Sequence, residues 1–348
     1  MKLRSASRMW RYLVLIGCIG LSFSVDAAPV RNKFHVISWS GGAYFDDHNK
    51  TFERCAATKP SPDATDVSFA VDRDLHWKVT LSNPAWNFAK GAKLTVNVAI
   101  DDIPVLTDAS VVAIDRSMLE LQTADAVSFF AKLRIAQKLR VVIGGRVLDI
   151  SLEGGEEALS ALTQCVLRSA RVYQSAKSNE SIFSAQTSSK ANHTEAAALV
   201  SNIDAYSRVP EMQVTPGTTD LSGLPVDAAW KIGLISAAVT IVEAPLPKER
   251  IAEDIIRRSL QSCHGGFFFV SSGDVISNTP IARVFVSCET LETTISSYHT
   301  VVPRSQAGNY IFSVLSTGSA FLGAPHRLAD LYEARLRSVV MVAINKLQ

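Results

Sequence analysis

Cys263-His264-Gly265-Gly266-Phe267-Phe268-Phe269-Val270 is answered, after the polar stretch 271–279, by Ile281-Ala282-Arg283-Val284-Phe285-Val286-Ser287-Cys288. Both runs are rich in aromatic and β-branched residues and each is bounded by a cysteine. The pattern predicts a β-hairpin closed by a disulfide. The earlier half of the chain has its own pair, Cys55 and Cys165, and no C-x-x-C occurs to indicate zinc or thioredoxin-type chemistry. Of the five cysteines, Cys18 falls in the expected leader, and the remaining four allow three pairings. Cys55–Cys165 and Cys263–Cys288 are preferred, because each bridge then stays within one expected module. On a chain-entropy argument such loops stabilise by roughly 4.8 and 3.5 kcal/mol.

Around the hairpin, residues 226–348 read as an α+β domain. Trp230 to Ala244 is apolar and β-branched, one long strand or a hairpin, and Pro247 stands where a helix can begin because its missing N–H costs nothing there. Ile251, Ile255 and Leu260 give that helix an apolar side. Strands are expected over Tyr298–Val302 and Tyr310–Leu315, and a C-terminal helix over Arg327–Lys346. The expected architecture is an antiparallel sheet covered on one side by two helices. Residues 171–225 are rich in Ser, Thr, Asn, Gln and Lys and end in Pro210, Pro216, Gly217, Gly223 and Pro225, the composition of a flexible linker. Within it, Glu195 to Tyr206 is compatible with one helical stretch.

Residues 28–170 read as a β-rich, sandwich- or barrel-like module closed by a helix. Val67–Val71, Trp77–Leu81 and Lys93–Ile100 alternate cleanly, while Gly41-Gly42 is expected to break the strand that starts at Phe34. Ala124–Ala136 changes to a helical period. Leu139–Ile143 and Arg146–Leu152 flank Gly144-Gly145, a hairpin turn pair. Glu156–Val166 is a helix with acids in its first turn.

The series Trp77…Leu81-x-Asn83-Pro84-x-Trp86…Gly91, Leu139-x-Val141 and Leu148-x-Ile150-x-Leu152-x-Gly154, running into Ala158-Leu159-x-x-Leu162-x-x-Cys165-Val166, resembles a module of exported proteins of Gram-negative bacteria. Its last third resembles the end of the invasion-associated locus B family. The resemblance is confined to the N-terminal module. It implies a periplasmic or secreted β-rich fold and carries no catalytic residues.

The start of the chain agrees with export. Lys2, Arg4, Arg8 and Arg11 precede an apolar run from Tyr12 to Phe23, and Val25-Asp26-Ala27-Ala28 supplies small residues for cleavage after Ala27 or Ala28. Residues 1–27 are therefore expected to be a cleaved signal peptide, too short for comfortable bilayer spanning. A lipoprotein box ending at Cys18 is the less favoured reading, since the apolar run continues beyond it. The whole chain has 35 Lys+Arg against 33 Asp+Glu; without the four bases and one acid of residues 1–27 the balance is near −1. Nucleic acid and anionic membranes lose their electrostatic argument. No transmembrane segment is expected in the mature chain, and oligomeric state is left open.

No nucleophile elbow, zinc-binding H-E-x-x-H, phosphate loop or dinucleotide fingerprint occurs, and the seven histidines lack metal-ligand spacing. Neither metal nor cofactor is expected. His264, beside two glycines whose N–H groups could hold an oxyanion, and His299 on a nearby strand are the weak catalytic candidates. Arg304, in a Pro- and Gly-containing loop, is a weak candidate for clamping an anion. Trp39, Trp77, Trp86 and Trp230 read as core rather than as a sugar platform. The function expected is non-enzymatic, binding an unidentified envelope or extracellular partner, with a hydrolase centred on His264 as the alternative.

Overall fold

Residues 31–46, 48–121, 123, 125–169, 183, 189–207, 213–215, 225–232, 235–319 and 324–347 are described in the computed structural model. The expected signal peptide and Cys18 lie outside them.

Ten strands make the first sheet: β1 (Arg31–Val36), β2 (Trp39–Phe45), β3 (Phe52–Lys59), β4 (Asp66–Asp72), β5 (Trp77–Ser82), β6 (Lys93–Ile100), β7 (Ile103–Ala113), β8 (Met118–Leu121), β9 (Lys138–Ile143) and β10 (Arg146–Ser151). Their order is β1-β2-β3-β4-β5-β8-β7-β6-β9-β10 and every pairing is antiparallel. α1 (Ala126–Arg134) follows β8 and α2 (Gly155–Ser169) follows β10. The outer strands β1 and β10 do not pair, so the sheet is not a closed barrel. Its two ends nevertheless approach each other. The Trp39 indole N–H and the Lys59 ammonium both donate to the Glu153 carbonyl, at 3.0 and 3.1 Å.

Alternation sets the inner face. Trp39, Ala43, Cys55, Ala57, Phe69 and Val79 are buried, and Cys55 is joined to Cys165 of α2 in a disulfide. Gly41-Gly42 does not break the strand; both glycines lie inside β2. A Cβ on Gly41 would collide with the Ala56 carbonyl oxygen and the Phe34 ring. The pair marks a close approach rather than a turn.

The second sheet has the order β11-β12-β13-β17-β16-β15-β14, with β11 (Gln213–Thr215), β12 (Ala228–Ile232), β13 (Ile235–Val242), β14 (Gly266–Ile276), β15 (Thr279–Glu289), β16 (Thr293–Pro303) and β17 (Asn309–Ser319). It carries α3 (Lys190–Ser207), α4 (Lys248–Ser262) and α5 (Ala324–Leu347). The cysteine-bounded hairpin is present, with Cys263 joined to Cys288. Its strands run further than the polar stretch implied, and only Ser277-Asn278 turn, both at positive φ (49° and 66°). Ser271 to Ile276 are polar-patterned because β14 is an edge strand.

Helices lie on both faces of this sheet, not on one. Cys288 bonds to the end of α4, whereas Arg283 pairs with Glu333 of α5. Positions five apart on β15 point to opposite faces. Tyr310 shares the Arg283 face and bonds to Glu195, which places α3 beside α5. Two covered faces explain why β13 is buried almost continuously rather than alternately.

Part of the expected linker is therefore ordered structure. α3 buries Ala196, Leu199, Val200 and Ile203, a spacing of one helical face that polar neighbours obscure in the composition. The two sheets also share one core. The Trp77 ring lies 5.0 Å from that of Phe130 and 5.3 Å from that of Phe268, and Ser271 Oγ donates to the Leu75 carbonyl at 3.1 Å. Each such ring contributes on the order of 1.5–3 kcal/mol through burial.

Candidate functional site

The positions of β1–β3 that alternate with the buried ones point away from α2. His35, Ser40 and Thr58 lie directly opposite one another across three strands, and Tyr44 lies opposite Arg54. An open groove of about 610 Å³ runs over this row and takes in Lys33, Phe34 and Gly41. The bare Gly41 lets the Phe34 ring lie against β2. The Arg54 guanidinium sits 5.0 Å over the Tyr44 ring. No lining residue is acidic, and among the described residues the side chains of Lys33, His35 and Ser40 have no partner. Thr58 Oγ1 shares a hydrogen bond of 2.8 Å with Ser68.

A second gathering of charge is closed. Arg283, 1% exposed, donates to Asp125 and, at 3.0 Å, to Glu333. Arg337 reaches the same two acids at 3.1 and 3.2 Å, and Asp274 stands 4.0 and 3.9 Å from the two guanidinia. Asp125 also caps α1 by accepting from the Ser128 N–H at 2.9 Å. Burial pushes the Asp125 carboxyl up, but Arg283, the Ser128 N–H and Arg337 together hold it below the usual range. Burial opposes the charge on Arg283 as well; Glu333 and Asp125 outweigh it and raise its pKa. Between α5 and the sheet next to this network is a crevice of about 10 Å³, room for about one water.

His299 is wholly buried on the α4 face. Its Nε2 is 2.9 Å from Ser297 Oγ and its Nδ1 2.8 Å from Ser313 Oγ. Burial drives its pKa down to about 3, so the imidazole is neutral and each serine satisfies one ring nitrogen.

The weak catalytic pair is not brought together. His264 is exposed on the loop before β14. His299 lies opposite Val284, itself opposite Ser271, which is roughly 20 Å beyond His264 along the strand direction. Gly265 serves packing: a Cβ there would collide with the Glu289 carbonyl oxygen. Arg304 is engaged within the chain, donating through both arms to Glu195, which also accepts from the Tyr310 hydroxyl at 2.5 Å. Burial pushes Glu195 up, and the bonds from Arg304 and Tyr310 bring it below its ordinary value. Trp39 and Trp230 are fully buried, with the Trp230 indole donating to Tyr332 Oη at 2.9 Å.

Asp72, Asp74 and His76 come within 4.8 Å of one another at the β4–β5 turn. Asp72 Oδ1 already accepts from the N–H groups of Asp74 and His76 at 3.0 and 2.9 Å, and Lys78 lies 3.7 Å from its other oxygen. The cluster is accounted for as a turn that docks on β14 through the His76–Ser271 bridge.

The groove is not legible in the sequence because its residues are ordinary surface types. Gly41-Gly42 inside a strand was the available signal. Arg283 in the midst of Ile281-Ala282-Arg283-Val284-Phe285 was the corresponding signal for the buried network.

No protein-family model matches the chain, and no curated protein matches its sequence. Among solved structures it is similar to the di-domain ARO/CYC StfQ from the steffimycin biosynthetic pathway, at 10% identity over 89% of this chain and 82% of that one, with a TM-score of 0.13. It is also similar to the di-domain ARO/CYC BexL from the BE-7585A biosynthetic pathway, at 9% identity over 88% and 79%, with a TM-score of 0.15. No helix among the described residues is long and apolar enough to cross a membrane.

Proposed function

We propose that this chain is an exported envelope protein that acts by binding and catalyses no reaction. One contrast carries the reading. The buried Arg283 and Glu333 are committed to each other and to the half-buried Asp125 and Arg337, and the half-buried Glu195 to Arg304, while Lys33, His35 and Ser40 face an open groove without partners among the described residues. A site that holds its donors ready for something else is arranged for recognition.

Export is supported by the basic and apolar pattern of residues 1–27, by the resemblance of the N-terminal module to exported proteins, and by two disulfides, which persist in oxidising compartments. The mature chain then works in the periplasm or outside the cell.

Fractionation of a Gram-negative host expressing the full precursor tests this. The expected product is a periplasmic or secreted protein starting at Ala28 or Pro29, and the purified form should co-sediment saturably with envelope material at about 0.15 M salt. Cytoplasmic retention with residues 1–27 attached overturns the export reading. Turnover of an envelope substrate that is lost in His264→Ala overturns the binding reading.

A further inference from the structure

We propose that the groove across β1–β3 binds an anionic polysaccharide chain, one bearing carboxylate or sulfate groups on its sugars. The proposal rests on the binding reading above and names the ligand class for it.

The first observation is the row His35–Ser40–Thr58. These positions are opposite one another in register, so successive polar groups stand one strand spacing apart, about 4.8 Å. That repeat is close to the length of a pyranose unit. A chain laid across the strands presents one sugar to each group in turn, and hydroxyls both donate to and accept from sugar hydroxyls.

Charge is the second observation. Lys33 lines the groove on β1, Arg54 of β3 stands beside Tyr44 on the same side of the row, no acid is among the lining residues, and the chain without residues 1–27 is near −1 overall. The local positive charge is thus not a reflection of a basic protein. Of the acids nearby, Asp46 accepts from the backbone N–H groups of His48 and Asn49, and Asp72, opposite Arg54 on β4, accepts from the N–H groups of Asp74 and His76 with Lys78 3.7 Å away. Glu53 lies 3.7 Å from Arg54 on an exposed surface, where the pair is worth little and can exchange for a ligand anion.

Third, the Arg54 guanidinium is stacked on the Tyr44 ring, which holds the charge in place beside a flat apolar surface. A ring next to hydrogen-bonding groups is what a sugar requires: polar edges for its hydroxyls and a face for its C–H groups. The volume, about 610 Å³, accommodates a few sugar units.

An acidic peptide is the competing occupant. It would add to the backbone edge of β1, the outer strand of the sheet among the described residues, and would depend little on Ser40, Tyr44 and Thr58, which lie on the sheet face away from that edge. His35, Ser40, Tyr44 and Thr58 line the groove from one face of three strands, which favours the saccharide.

The test uses the mature chain with both disulfides intact and isothermal titration at about 0.15 M salt. The probes are an oligogalacturonate, heparin, neutral dextran and a poly-glutamate peptide. Binding to at least one of the two anionic saccharides, and none to dextran, is expected. The double variant Lys33→Gln/Arg54→Gln should weaken it about tenfold or more. Tyr44→Ala, which leaves the net charge unchanged, should weaken it by roughly fivefold or more. The control Lys90→Gln/Lys93→Gln, at exposed positions away from the groove, should leave affinity within about twofold at this ionic strength. Thermal unfolding of each variant separates lost binding from lost folding.

Three results overturn the proposal: no binding of either anionic saccharide at millimolar concentration, tight binding of poly-glutamate in their place, or equal weakening by the distant lysine control. If envelope co-sedimentation persists in any of these cases, the ligand class is wrong and the binding reading stands. If co-sedimentation also fails, both fall.

Discussion

Arg283 illustrates how one residue can decide a junction. It is a cation in the middle of an apolar strand, and its two arms join β15 to the capping acid of α1 and to Glu333 of α5. Removing it leaves the buried Glu333 and the half-buried Asp125 with one guanidinium fewer. Arg283→Leu is expected to cost about 3–5 kcal/mol in urea unfolding. His299 makes a second prediction, in pH. Its folded pKa, about 3, lies below the ordinary value of 6.5, so the unfolded chain takes up a proton that the folded chain refuses. Its contribution is fully present above about pH 6.5 and is lost as pH falls towards 3, at up to about 1.4 kcal/mol per pH unit. His299→Gln removes the titrating group, so the acid limb of a stability–pH curve should flatten in that window. The residue reads in the sequence as a catalytic candidate on a strand near His264; burial makes it a neutral structural group.

α3 is held by contacts that its own sequence does not contain. Its helical stretch is legible from Glu195 to Tyr206, but not its docking, because the groups that hold it are remote in sequence. Glu195 accepts from Arg304 and Tyr310, which flank the β16–β17 turn. Glu195→Ala should lower stability by about 1–3 kcal/mol, read by thermal unfolding, and raise amide exchange along α3 more than in β16. The turn itself has a strict requirement. Gly308 is at φ +88°, and a Cβ there would collide with the Val242 carbonyl oxygen. Gly308→Ala is therefore expected to lower the melting temperature by several degrees, since ~1 kcal/mol or more is lost to strain and collision. The Cys263–Cys288 hairpin was the more readable element, since two cysteines, period-two alternation and a polar turn all agree.

At the scale of the whole molecule, the two disulfides differ in access. Cys55 is fully buried and Cys165, on the inner side of α2, is 4% exposed, whereas Cys263 and Cys288 are partly exposed at the end of α4. Brief treatment with a dithiol reductant followed by alkylation and mass spectrometry should label Cys263 and Cys288 first. Loss of the larger loop closure should cost more stability, roughly 4.8 against 3.5 kcal/mol before differences in strain. The β1–β3 groove is remote from the Cys263–Cys288 bridge, and the bridge in its own strands is Cys55–Cys165, so ligand binding there is expected to survive selective reduction of Cys263–Cys288.

Local pattern determined a good part of this protein. Alternation places most strands of the first sheet, Gly144-Gly145 its last hairpin, Pro247 the start of α4, and the cysteine positions the preferred pairing that the structure contains. These features are legible because each depends on neighbours a few residues apart, or on a cysteine having few possible partners. Tertiary structure alone decided the rest. It set helices on both faces of the second sheet, merged the cores at Trp77 and Phe268, committed Arg304 to Glu195, parted His264 from His299, and aligned His35, Ser40 and Thr58 in a groove. Each of these depends on strand register and on contacts between residues distant in sequence, and a side chain's period does not say which remote partner will neutralise, bury or expose it.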